Sequence, residues 1–186
     1  YVLEMLRQPL EAGDVTIARA FGSIRFPARF MLVAATNPTA SGYAPSDPRA
    51  RDRYLSKLSG PLLDRIDIHV EVPSVAYRDL TGRTAGTDSA TMRRSVQRAR
   101  AAQRKRFNSD MTNAAMDSRL LKRHAELDDA CLLLMKQVMD ELGLSARAYD
   151  KVRRVARTIA DIDGSERINE AHLAEAVQYR LLDRRF

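Results

Sequence analysis

One cysteine, Cys131, stands in the whole sequence. This excludes an internal disulfide and any metal site built on several cysteines. It lies among Leu127, Leu132, Leu133 and Leu134, where it reads as a small apolar core residue. Long hydrophobic runs are missing: nothing approaches the ~20 residues that a membrane-spanning helix needs. No basic start leads into an apolar stretch with a small-residue cleavage site, so no secretory leader is visible. The expectation is a cytoplasmic location without membrane contact. His69, His124 and His172 lie far apart with no metal-ligand spacing and read as structural, so no bound metal is expected. No serine-nucleophile motif or paired-carboxylate constellation stands out. No glycine is followed by lysine, so the phosphate-cradling pattern G-x-x-x-x-G-K-S/T is absent. By itself this chain is expected not to hydrolyse a nucleotide.

What is abundant is positive charge. The net charge of +7 favours contact with polyanions, either nucleic acid or nucleotide phosphates. Patterning divides the chain in two. "VLEMLRQPLEAG" has helical spacing and stops at Gly13. "VTIARAFGSIRF" alternates on both sides of Gly22 and predicts a β-hairpin with its turn near Ala20 to Ser23. "RFMLVAAT" suits a strand buried on both faces of a parallel sheet. A Pro/Gly/Ser-rich loop follows at 38–48, then a short helix "ARDRYLSKL" and a second strand, "RIDIHVEV", ended by Pro73. Residues 79–90 lack periodicity and read as a linker.

Beyond the linker only helices are expected. They are Met92 to Phe107 with a basic face, a short one ending near His124, and the amphipathic "LDDACLLLMKQVMDELG" stopped by Gly143. A Ser145-capped helix to about Ile162 and an Asn169-capped helix to about Leu182 complete the set. The α/β piece has too few strands to cover a parallel sheet. Together with a start at Tyr1, this predicts the C-terminal part of something longer.

Three polar residues stand where chemistry is possible. Asn37 ends an apolar run, at the carboxyl end of an expected strand, where open α/β sheets build their sites; the plainer alternative, which spacing alone favours, is an Asn that starts the turn before Pro38. Arg65 stands before the second strand and could stabilise charge on a transferred phosphoryl group. The plainer alternative pairs it with Asp64 or Asp67. Arg147 lies in the first turn of its helix, where a cation is mildly unfavourable unless an anion is bound. Against an anion there, Arg153, Arg154 and Arg157 on the same helix could all be solvated surface charges. In the hairpin, Arg19 and Arg25 flank Phe21-Gly22. Either the tip is exposed and touches nucleic acid, or it folds onto its own domain with Phe21 buried. The helix carrying Arg93, Arg94, Arg98, Arg100, Arg104, Lys105 and Arg106 has almost no acidic partners in its own sequence. It either tracks phosphates or is a solvated face.

Three stretches carry a resemblance over almost the whole chain. They are "LEMLRQPLEAGDVTIARAFGSIRFPARFMLVAATNP", "YLSKLSGPLLDRIDIHVEVP" and "LGLSARAYDKVRRVARTIADIDGSERINEAHLAEAVQYR". In this order they resemble the magnesium-chelatase-type AAA+ ATPases, in particular the ComM-like branch. The resemblance implies a partial α/β P-loop NTPase core with a β-hairpin insertion at residues 1–78, then the linker. An all-α lid follows at residues 91–186.

It implies that Asn37 is the sensor 1 residue that positions the attacking water, and that Arg65 is an arginine finger reaching the ATP of the next subunit. Arg65 would then have its partner off its own fold, with Asp64 orienting it. It further implies that Arg147 is the sensor 2 residue of the lid, and that Arg19, Phe21 and Arg25 form a DNA-touching pre-sensor 1 hairpin. ATP and Mg2+ would bind only the full-length protein, with Walker A and Walker B upstream. The full-length protein would form a hexameric ring that remodels DNA in a branch-migration, helicase-like way. The piece alone would be monomeric. Two alternatives are a chelatase motor driving metal insertion and a non-catalytic nucleic-acid-binding module. The sequence departs from ComM-like relatives in "NPTASGYAPSDPRARDRY", which has none of the cysteines those relatives carry after the sensor 1 Asn.

Overall fold

The computed structural model describes residues 2–37, 59–72, 75, 77 and 86–180. The chain divides between Ile66 and Asp67 into two compact units. The expected loop 38–48, the helix "ARDRYLSKL", most of the 79–90 linker and the last residues of the final helix lie outside the described residues.

The first unit opens with a 3-10 turn, Val2–Leu6, followed by helix α1, Arg7–Ala12. Pro9 cannot donate a backbone hydrogen bond, so it sits in the first turn of α1, where that donor has no partner anyway. Gly13 closes α1 in the left-handed conformation at φ 69°, its N–H donating to Pro9 O at 2.9 Å. A Cβ there would meet the Arg29 side chain at 3.1 Å, so a larger residue meets both strain and a neighbour.

The hairpin forms as the alternation predicts. Strands β1, Asp14–Arg19, and β2, Gly22–Pro27, pair antiparallel around the Ala20-Phe21 turn, with Ile17 opposite Ile24 and Arg19 opposite Gly22. Gly22 at φ 151° lets the chain reverse. Alternation puts Val15, Ile17, Ile24 and Phe26 on one face, and Asp14, Thr16 and Arg25 on the other.

The two expected sheet strands do not form. Residues 28–37 have no regular structure, and Phe30, Met31 and Val33 are exposed. "RIDIHVEV" is likewise irregular, with Ile68, Val70 and Val72 exposed. A parallel strand needs a hydrogen-bonded neighbour on its flank, and among the described residues the only sheet is the hairpin. One backbone donor of the second segment is satisfied differently: His69 N–H donates to Tyr179 O at 2.8 Å, and His69 is buried. In the first unit a one-turn helix, α2, Gly60–Leu63, buries Leu62 and Leu63. Ser59 caps it by accepting from Leu62 N.

The regular elements among the described residues of the second unit are all helical, while residues 67–72 at its start are irregular. Helix α3 runs Ser89–Phe107 with Asp88 as N-cap, so it begins three residues before the expected Met92, inside the expected linker. A 3-10 turn, Asn113–Ala115, leads to α4, Ser118–His124, and α5, Asp129–Leu142, which Asp128 caps and Gly143 closes. Helix α6, Ala146–Asp163, is capped by Ser145, and α7, Glu170–Gln178, by Asn169. In the cap of α7, Asn169 Oδ1 accepts from His172 N, and His172 Nδ1 accepts from Asn169 N. Helix α7 ends at Gln178, short of the expected Leu182, and turns at Tyr179 and Arg180.

Helix α6 organises this unit by burying two adjacent rows at four-residue spacing. Ala148, Val152, Ala156 and Ala160 form a row of small side chains that lets Leu173, Ala176 and Val177 of α7 approach closely. Beside it runs a polar row, Arg153, Arg157 and Asp161, all buried. This corrects the reading of Arg153 and Arg157 as solvated charges. Arg153 donates to Leu121 O and Ala125 O, closing the C-terminus of α4. Arg154 donates to Met116 O at 2.8 Å. Arg157 donates to Asp161 Oδ1 at 3.1 Å and to Ser165 O and Glu166 O. Cys131 is fully buried in the same core, and burial pushes its thiol pKa up to about 12.

Candidate functional site

In the first unit local contacts converge on Arg65. Hydrogen bonds from Ser59 and Arg7 hold the Glu4 carboxyl below its usual pKa, which ties the N-terminal turn to the cap of α2. Helix α2 ends at Asp64, whose backbone N–H donates to Gly60 O at 2.8 Å. Arg65 follows directly. Its Nη1 donates to Pro61 O at 2.6 Å, and its Nη2 forms an ion pair with Glu11 of α1.

Sequence reading offered Asp64 or Asp67 as the home partner, or a phosphate off the fold. The observed carboxylate is Glu11, 54 positions earlier. No local signal in "PLEAG" points to it, because the pair exists only once α1 and α2 are packed. Asp67, the first residue of the second unit, pairs instead with Lys151 of that same unit at 2.8 Å. The Arg65 side chain is 14% exposed and Glu11 is half-exposed. Beside them opens a cleft of about 610 Å³, lined among others by Arg7, Gln8, Glu11, Thr16 and Arg65.

Asn37 is exposed at the end of the irregular 28–37 segment, and its carbonyl accepts from Thr36 Oγ1 at 3.3 Å. It does not end a strand, because that strand is absent. Arg147 lies exposed in the first turn of α6, one residue after the Ser145-capped N-terminus begins.

The hairpin tip projects: Phe21 is fully exposed, and Ile17 and Ile24 beside it are exposed as well. The two expected cations do not both flank it. Arg19 is at the tip opposite Gly22, but Arg25 pairs across from Thr16, three rungs down. That is roughly 10 Å at strand spacing, and it lies on the other face. Arg25 bonds Asp14 there, and this hydrogen bond and its charge raise the guanidinium pKa, while the side chain remains largely exposed.

The basic helix α3 is less bare than its sequence implied. Arg106 turns inward to Asp161 and Asn113, Arg104 bonds Asp110 at 2.9 Å, and Arg100 bonds Gln103. Arg93, Arg94 and Arg98 stay exposed near its start. Among the described residues no group of three His, Cys, Asp or Glu side chains converges to hold a metal ion, and no helix is long and apolar enough to cross a membrane.

Residues 1–80 match the family model described as "Magnesium chelatase, subunit ChlI". Residues 86–180 match "Magnesium chelatase, subunit ChlI C-terminal". The competence protein ComM of Haemophilus influenzae is 42% identical over 190 residues. The uncharacterized protein YifB of Escherichia coli is 40% identical over 188 residues. An uncharacterized protein of Mycobacterium tuberculosis is 37% identical over 188 residues. These alignments take in 98%, 98% and 96% of this chain, which spans 37% of the length of each relative.

Proposed function

The chain belongs to the magnesium chelatase subunit ChlI family, and we propose that it is the sensor, finger and lid portion of a ring-forming AAA+ ATPase that remodels DNA in a helicase-like way. In this reading residues 1–78 are the C-terminal part of the α/β core, with the hairpin inserted before sensor 1, and residues 91–186 are the lid. Residues 79–90 link them. ATP is the substrate, and water attacks its γ-phosphate to give ADP and phosphate. Asn37 orients that water, and Arg65, positioned by Asp64 and the end of α2, stabilises the developing charge from the adjacent subunit. Arg147 at the start of the lid helix senses whether phosphate is present. These residues suit the polyphosphate: Arg65 and Arg147 are permanent cations. The accompanying Mg2+ neutralises phosphate charge when bound, and the side chains described here offer it no ligand cluster.

The observation that carries the DNA reading is the fully exposed Phe21 at a hairpin tip beside Arg19, on a chain of net charge +7. An exposed aromatic ring next to a guanidinium suits a base and its phosphate. Arg25 adds a second cation on the opposite face. The family description itself favours a second reading, a motor for metal insertion. Two measurements on the full-length, ring-forming protein separate them. Arg65→Ala is expected to lower ATP turnover by at least about 10³-fold while nucleotide binding survives. Arg19→Glu is expected to weaken DNA binding and flatten its salt dependence. Unchanged DNA affinity would favour the chelatase motor, and unchanged turnover in Arg65→Ala would remove the finger assignment.

A further inference from the structure

Arg65 is held at home in an arrangement built to let go. Its guanidinium has one strong charged partner, Glu11, and one carbonyl, Pro61 O. Among the described residues its buried Nε has no hydrogen-bond partner. A purely structural arginine closing a core satisfies its fork, as Arg157 does with one carboxylate and two carbonyls. The fork of Arg65 is left incomplete, which makes the home position a shallow minimum. Glu11 is 50% exposed, so water and salt screen the pair and it exchanges readily. The cleft beside it gives the side chain room to move.

We propose that Glu11 is a positioning residue that acts through Arg65. It docks the guanidinium in cis while no polyphosphate is within reach, and gives it up when one competes. This rests on the finger reading of Arg65. A triphosphate carries several charges and bidentate acceptor oxygens, against a single carboxylate in Glu11, so exchange runs toward the nucleotide.

The test is steady-state ATP hydrolysis by the full-length protein carrying Glu11→Gln, Arg65→Ala or both, with thermal midpoints as the folding control. If Glu11 competes for the finger, Glu11→Gln lowers KM for ATP about two- to fivefold, the range an exposed ion pair can supply, and leaves kcat within about twofold. The double variant then matches Arg65→Ala alone. A merely structural Glu11 would shift the thermal midpoint without splitting KM from kcat. Glu11→Asp keeps the charge and is expected to keep the wild-type KM; a KM as low as that of Glu11→Gln would overturn the proposal. If Arg65→Ala abolishes turnover while Glu11→Gln leaves KM unchanged or raises it, the docking role is wrong and the finger stands. If Arg65→Ala turns over normally, the finger reading fails first.

Discussion

Asp161 shows how much a single buried residue can hold. Arg106 Nη1 donates to it at 2.8 Å, Asn113 Nδ2 at 2.8 Å and Arg157 Nε at 3.1 Å. Burial alone would raise its carboxyl, but the hydrogen bonds from Arg106 and Asn113 and the charges of Arg157 and Arg106 outweigh it and hold the pKa below the usual value. Asp161→Asn leaves the 2%-exposed Arg157 without its counter-charge. It is expected to destabilise the protein by about 3–5 kcal/mol, read as a fall in the urea midpoint.

In His124 the surroundings favour the neutral form instead. Its ring meets Phe107 edge-on at 5.6 Å; burial, followed by the charges of Arg123, Arg106 and Arg157, lowers its pKa. Unfolded, an imidazole titrates near 6.5, so on acidification the unfolded state takes up the proton first. The stability present above about pH 6.5 is therefore lost as pH falls toward the lowered folded value. His124→Gln is expected to flatten the dependence of the melting temperature on pH between 7 and 5, and an unchanged slope would refute this assignment. The sequence showed these side chains but not their partners. "VRRVARTIAD" reads as an exposed cationic helix, because the carbonyls that accept from its arginines come from Met116, the end of α4 and the turn after α6.

At the scale of elements, caps and stops were the most legible features. Ser145, Asn169, Gly13 and Gly143 each act where the sequence placed them, because a cap needs only its own next few residues. Asn169→Ala removes one half of a reciprocal cap with His172. It is expected to cost about 1 kcal/mol, measurable by urea unfolding, with Asn169→Asp recovering most of it. The hairpin was equally readable, since its register follows from a two-residue turn and alternation. The apolar runs "RFMLVAAT" and "RIDIHVEV" were not. Their composition asks for a sheet, yet a strand exists only where a neighbour pairs with it.

At the scale of the molecule, stability is expected to be uneven. The helical second unit holds the buried cluster centred on Leu121, Met135, Val152 and Leu173, whereas residues 30–37 lie largely exposed with no ladder partner among the described residues. Amide hydrogen exchange of this chain is expected to find the strongest protection in α6 and almost none in residues 30–37. In the longer protein of the proposed function, the same 30–37 amides are expected to become protected as further strands pair with them. Continued fast exchange there would count against the partial-core reading of residues 1–78.

Local rules sufficed for the helices of the second unit, their caps, the hairpin and the order of segments that marks the family, because each is decided within a few neighbouring residues. Only the packed chain decided that Arg153, Arg157 and Asp161 face inward and that Arg65 rests on Glu11. Ion pairs across tens of residues depend on where elements dock, and that geometry is a property of the burial they share, not of any window of sequence.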